Sequence, residues 1–527
     1  MPLNRREMLQ TSAGAAAYLS MGLPSAQANT ASGRRPNIIL IMADDMGYSD
    51  LGCYGAEIRT PNIDSMAAGG LRFTQFYNAA RCCPTRASLL TGLYPHQAGV
   101  GSMVRDNGFP GYRGRLNERC VTIAEALSRG GYRTLMSGKW HVGEERPHWP
   151  CDRGFDEYYG LISGASSFWE LDEGRNFAHN NTPIDRLPPD HYMTDAFSDH
   201  AIRMIETHSE ADDPFFLYLP YTAPHWPLHA HQEDIERYRG QYGMGWDALR
   251  EERFVRMKEK GVIDADTELP PGDPNNPAWE DAEHKDWQDA RMATYAAQID
   301  SMDQGIGRIL DAVRRRGLEE NTLVLFLIDN GGCHEGRSGN DPNIMPGPRD
   351  TYQSYGRAWA EASNTPFRKY KHWVHEGGIS TPLVAYWPGV IEAGGITPQT
   401  GHIIDILPTC LDLAGVEYPE EHQGHAIQPT EGLSLAPIFE GQEREGHEAL
   451  YWEHHGNCAI RQGDWKLVKA RGGEWELFDL AEDRPEQNNL AQDRPDLHRE
   501  MRLMYESWAN RVGVLPWDFI RRHRADS

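Results

Sequence analysis

Apolar residues in this chain gather in short continuous runs, each closed by a polar cluster. Asn37–Asp45 (NIILIMADD) is the first. Tyr132–His141 (YRTLMSGKWH), Phe215–His225 (FFLYLPYTAPH), Thr322–Gly332 (TLVLFLIDNGG) and Pro382–Gly389 (PLVAYWPG) follow. Apolar runs of this kind between turn signals predict buried strands. Between them the spacing changes to i, i+3, i+4. Val121–Tyr132 predicts an amphipathic helix stopped by glycine, and Thr294–Leu318 predicts a longer helix feeding directly into the fourth strand. Continuous apolar strands alternating with helices predict an α/β fold, with a large mostly parallel or mixed sheet covered by helices on both faces. Ligands bind such sheets beyond the carboxyl ends of the strands, so the polar ends ADD, GKWH, APH and DNG are predicted to converge.

Two stretches break this pattern. Trp226–Asp289 is polar, acidic and proline-bearing, and Cys333–Pro366 is rich in glycine, asparagine, proline and aromatic residues. Both read as insertions, and long connectors often serve as lids or substrate walls. From about Glu443 short strands with turn signals take over (ALYWEHHG, CAIRQGDWKLVKA, EWELFDL), and PDLHREMRLMYESWANRV closes the chain as a helix. This predicts a small C-terminal antiparallel α+β domain over 443–527, after a large domain over 29–442.

Composition and the chain's first residues add three constraints. The net charge of −25 over 527 residues excludes a nucleic-acid surface, which needs clustered Lys and Arg; it leaves room for a locally basic pocket. Residues 1–28 carry paired arginines (Arg5, Arg6), an apolar stretch and small residues at Ala26–Ala28. They resemble a bacterial twin-arginine signal peptide, which predicts a periplasmic or secreted protein. Neither this stretch nor any later one is long and apolar enough to predict a membrane span. The eight cysteines are too few, in a chain of this length, for a disulfide scaffold.

Asp44 and Asp45 end the first run, and adjacent carboxylates repel unless a cation neutralises them. Asp329 and Asn330 end another. Three carboxylates and an amide carbonyl are hard donors, which suit Ca²⁺ or Mg²⁺ and not zinc. Lys139 and His141 lie two apart, which on a strand puts both on one face. His225 offers an imidazole whose ordinary pKa suits proton delivery. Lys371 adds a cation, with His372 and His375 as alternatives, and His454 and His455 are candidates for contact with the alcohol part of a substrate. Cys82 and Cys83 are adjacent, which disfavours a disulfide between them, and no second cysteine pair completes a zinc site. Pro84 fits the first turn of a helix, so residue 82 is placed where backbone N–H groups favour an anion.

Cys82–Gly92 (CCPTRASLLTG) resembles the sulfatase signature C-x-P-x-R followed by a helix and T-G. IMADDMGYSDLGCYG, SGKWHVG, APHWPL, LIDNGG and KHWVHEGGISTPL are similar to further blocks of that family, in the same order. The likeness runs from about Pro36 to the C-terminal strands and is to the arylsulfatase branch of the alkaline-phosphatase-like superfamily. It implies that a formylglycine-generating enzyme oxidises Cys82 to Cα-formylglycine and leaves Cys83 alone. It also implies a Ca²⁺ ion, with Mg²⁺ second, held by Asp44, Asp45, Asp329, Asn330 and residue 82. Arg86 and His141 would orient the formylglycine hydrate, Lys139 and Lys371 would grip the sulfate, His225 would protonate the leaving alcohol, and Asp329 would assist deprotonation of the hydrate. With Ca²⁺ such a pocket keeps a net charge of +2, which suits an aryl or carbohydrate sulfate monoester. The alternatives are a phosphate or phosphonate monoesterase of the same superfamily, and an inactive protein that binds sulfated glycans. Twin-arginine export carries folded protein, so modification is expected to precede export.

Overall fold

The first apolar run forms β1 (Asn37–Ala43), with every residue buried, near the middle of the main sheet. The computed structural model describes residues 34–209, 213–336 and 339–526; the predicted signal peptide, 1–28, lies outside the described residues. The other principal strands are β2 (Leu71–Tyr77), β3 (Arg133–Ser137), β4 (Glu157–Leu161), β5 (Phe215–Pro220), β6 (Thr322–Ile328) and β7 (Ser380–Tyr386). Their order across the sheet is β2-β7-β6-β1-β5-β3-β4, with short strands added at both ends.

β6, β1, β5, β3 and β4 are mutually parallel. β7 runs against both of its neighbours, so the sheet is mixed. The long segment after β6 crosses the carboxyl-end face, and the chain therefore re-enters the sheet from that end. The sequence pattern does not predict β2, because Arg72, Thr74 and Gln75 interrupt its apolar run. Alternate residues of β1 feed different cores: Ile39, Ile41 and Ala43 pack on one face, and Ile38, Leu40 and Met42 on the other, as the two-residue period of a strand requires.

The helix predicted over 121–132 forms at Ile123–Arg129. Thr122 Oγ1 accepts from the Glu125 N–H at 3.0 Å, and Glu125 accepts from the Thr122 N–H at 2.8 Å. This reciprocal cap fixes where the helix starts. The long helix spans Lys285–Arg315 and starts inside the stretch predicted as an insertion, which also holds the helix Trp246–Glu259. Among the described residues no helix is long and apolar enough to cross a membrane, and none of the eight cysteines is in a disulfide.

The C-terminal strands Leu450–His454, Asn457–Gln462, Trp465–Lys469 and Glu476–Asp479 form an antiparallel sheet. The helix Pro495–Val512 packs on it, and residues of the large domain, such as Tyr77, Val374 and Ile379, share its core. Lys466 locks the two together: its Nζ lies 2.7 Å from Glu376 Oε1 and 2.8 Å from Glu486 Oε1, all three side chains being fully buried. Lys466→Met takes the nearest cation from two buried carboxylates. Glu376 keeps Tyr77, Ser380 and Arg484 around it, and Glu486 keeps the Glu376 N–H and Arg368, so the cost is at most about 3–5 kcal/mol. The expected result is a clearly lower urea midpoint; an unchanged midpoint would show that the ion pairs contribute nothing.

Candidate active site

β1 and β6 are in parallel register, Ala43 opposite Ile328, so the residues after each strand emerge side by side. Asp44 and Asp45 follow β1; Asp329 and Asn330 follow β6. The Asp45 N–H donates to Asp329 Oδ1 at 3.2 Å, and Asn330 Nδ2 donates to Asp45 Oδ1 at 2.8 Å. Asp45 reaches this position through a left-handed backbone, φ 65°. All four side chains are buried. Asp44 Oδ1, Asp45 Oδ2 and Asn330 Oδ1 have no hydrogen-bond donor. Buried acceptors are normally satisfied, so three such oxygens in one place fit a hard cation.

Cys82 is the first residue of the helix Cys82–Thr91, every residue of which is buried. Arg86 follows one turn later. Its Nη2 lies 3.0 Å from Asp329 Oδ2 and 3.4 Å from Asp44 Oδ2, while Nη1 donates to the Lys139 carbonyl at 2.9 Å. One guanidinium thus ties the helix to both strand ends and to the GKWH segment.

Lys139 and His141 reach the site by a different route from the one their spacing predicts. β3 stops at Ser137, so no shared strand face positions them. Gly138 adopts φ 140°, and a Cβ there would meet the Pro220 carbonyl oxygen at 2.1 Å. Beyond it the chain threads between neighbours: the Lys139 N–H donates to Pro220 O at 2.8 Å and the His141 N–H to Ile162 O at 3.0 Å. Lys139 Nζ pairs with Asp44 Oδ2. Both ring nitrogens of His141 lie 3.4 Å from Cys83 Sγ, and one of them, with the two thiols, completes a tight group.

His225 and Lys371 close the site on the Asp45 side. His225 Nδ1 donates to the Trp226 carbonyl at 2.6 Å, leaving Nε2 3.3 Å from Asp45 Oδ2. Lys371 Nζ lies 2.5 Å from Asp45 Oδ1. Of the two alternatives to Lys371, His375 turns to Glu476, at 3.3 Å, and His372 joins His454 and His455. Three carboxylates and three fixed cations are therefore packed together.

Residues 36–416 match the family described as Sulfatase. The chain belongs to the sulfatase family. Residues 367–507 match N-sulphoglucosamine sulphohydrolase, C-terminal. An uncharacterized sulfatase of Schizosaccharomyces pombe is 33% identical over 487 residues, 83% of this chain and 86% of that protein. An arylsulfatase of Klebsiella aerogenes is 34% identical over 459 residues, 82% of this chain and 98% of that protein. The crystal structure of Ps i-CgsB in complex with k-i-k-neocarrahexaose superposes with a TM-score of 0.68 at 27% identity, covering 90% of this chain and 93% of that one. The protein is thus a sulfatase enzyme with the alkaline-phosphatase-like α/β architecture, acting on sulfate esters.

Electrostatics in this sulfatase follow from burial. Burial pushes Asp45 up, but His225 and Lys371 together outweigh it and hold the carboxyl well below the usual range. Burial and the Asp44 charge push Asp329 well up. Burial holds His225 down to about 4, far from the ordinary imidazole value expected from sequence, because no strand-end motif reports how little water reaches the ring. Sequence reasoning also missed Glu335, which pairs with Arg81, the residue before the helix, at 2.8 Å. It lies in the segment read as an insertion, where no spacing links it to the sulfatase signature.

Proposed function

We propose that this sulfatase cleaves sulfate monoesters with a formylglycine made from Cys82, and that Asp44, Asp45, Asp329, Asn330 and residue 82 hold a Ca²⁺ ion. The observation that carries this reading is the trio of buried, undonated oxygens on Asp44, Asp45 and Asn330 beside a cysteine at a helix N-terminus. Bound Ca²⁺ would supply charge for the sulfate oxygens and lower the pKa of a hydroxyl at position 82. The hydrate of formylglycine offers one hydroxyl for attack on sulfur and a second whose deprotonation releases sulfate by C–O cleavage, whereas a plain thiol would stay sulfated.

The remaining steps belong to side chains in place. Lys139 and Lys371 provide fixed cations at the site, pre-oriented by Asp44 and Asp45, for charge that must be held through sulfuryl transfer. Arg86 fixes the position of Asp329, which would take a proton from the hydrate, while His141 stands against the helix start. His225 holds its Nδ1 proton on Trp226 O, so Nε2 is the atom that delivers a proton to the leaving oxygen. An anionic ester beside the ring favours its protonated form and raises its pKa from about 4.

His225→Gln is expected to lower turnover of alkyl sulfates by about 10²–10⁴-fold. Aryl sulfates with acidic phenols need little help in leaving and should lose far less. Equal losses on both classes would remove His225 from the acid role. The relatives' names favour an aryl or carbohydrate sulfate. A formylglycine-generating enzyme as maturation partner belongs to the same reading through the motif at Cys82, and export rests on the signal-like stretch at residues 1–28 alone. Matched aryl sulfate and aryl phosphate esters test the substrate class directly. The sulfate should turn over faster; a clear phosphate preference contradicts the proposal, and no turnover of either supports the inactive glycan-binding alternative.

A further inference from the structure

Beside the catalytic pocket, and apart from its carboxylates, three imidazoles meet. One nitrogen each from His372, His454 and His455 lies within 4.8 Å of the others. His372 directly follows Lys371 on a left-handed backbone, φ 90°, and His455 begins the turn after the first C-terminal strand, φ 53°. His454 is fully buried, and neither of its ring nitrogens has a hydrogen-bond partner among the described residues. An unpaired buried polar atom is costly, and in a native protein such a group calls for an explanation, of which a bound ion is one.

The donors are uniform and of one chemical kind. Burial holds His372 down to about 3 and His454 well below its ordinary value, so both rings are neutral, the form that ligates metals. Arg81, the cation that acts on both His372 and His454, is answered by Glu335, and Arg471, which also acts on His372, lies 3.7 Å from Asp518.

We propose that His372, His454 and His455 form a site for a divalent transition-metal ion of the zinc type, distinct from the oxygen set that suits Ca²⁺. Imidazole donors favour Zn²⁺, Co²⁺ or Ni²⁺ over Ca²⁺. The rings of His454 and His455 stack at 3.9 Å with 23° between their planes, so sharing an ion requires one to turn. His455 is fixed by stacking on Trp517 at 3.8 Å and by Ser102 Oγ at 2.8 Å. His454 has no hydrogen bond to lose, and it is the ring that turns. Three protein ligands leave a coordination position for water or a substrate oxygen, one residue along the chain from Lys371.

The test is a Co²⁺ titration of the mature, Ca²⁺-loaded enzyme, followed by visible absorption. One Co²⁺ per chain should develop imidazole-type bands that excess Zn²⁺ abolishes and excess Ca²⁺ does not. His454→Gln and His372→Asn should each abolish them, whereas Cys83→Ser, which alters the thiol–His141 group, should not. The second histidine variant, at a partly exposed position, keeps the test decisive where the buried one fails to fold. Absence of the bands, their persistence in His372→Asn, or their loss in Cys83→Ser would overturn the proposal.

Discussion

Cys82→Ala is expected to lower sulfate ester turnover by about 10⁴-fold or more while the protein stays folded, as loss of a covalent nucleophile does. The position explains the size of the effect. Residue 82 opens a wholly buried helix, and its neighbours Arg86, Lys139 and Asp329 are ordered by one another. Those contacts persist when the thiol goes, so the variant keeps a formed pocket with nothing to attack sulfur. Cys82→Ser should be similarly poor, because a serine that takes the sulfuryl group has no second hydroxyl with which to expel it. Cys83→Ala is the informative contrast. Its thiol packs against His141 at 3.4 Å, so a modest loss is expected, not a collapse. Steady-state kcat on an aryl sulfate decides between them. Comparable losses at 82 and 83 would place the chemistry elsewhere.

Removing the cation should be nearly as damaging. Dialysis of the mature enzyme against a strong calcium chelator is expected to reduce turnover by about 10³-fold or more, since a catalytic metal supplies several kcal/mol of charge stabilisation. Added Ca²⁺ should restore it. Asp45→Asn should reproduce the loss without restoration, because this carboxylate holds Lys371 and Asn330 through Oδ1 and offers an undonated Oδ2 beside His225. Ca²⁺ should also raise the unfolding temperature of the native enzyme in proportion to the logarithm of its concentration, as any ligand of the folded state does. Full turnover in chelator, with no metal remaining bound, would contradict the assignment.

The convergence of the strand ends was legible because their polar residues sit directly on the folding signal. Asp44, Asp45, Asp329 and Asn330 each follow an apolar run, and parallel register brings them together without further information. Lys139 and His141 show the limit of that reasoning. Their two-residue spacing indicates a shared strand face, but Gly138 ends β3 and hydrogen bonds to Pro220 and Ile162 place them. The depression of His225 is a property of its surroundings and has no trace in APHWP. The antiparallel course of β7 depends on where the preceding segment crosses the sheet. The imidazole cluster is assembled from residues about eighty positions apart in sequence, with no ligand spacing to announce it.

The most direct measurement is the mass of the peptide spanning Cys82, taken from mature, active protein. The expected result is a loss equal to conversion of CH₂–SH to CHO at residue 82, with the Cys83 thiol intact. An unmodified Cys82 in protein that hydrolyses sulfate esters at full rate would contradict it.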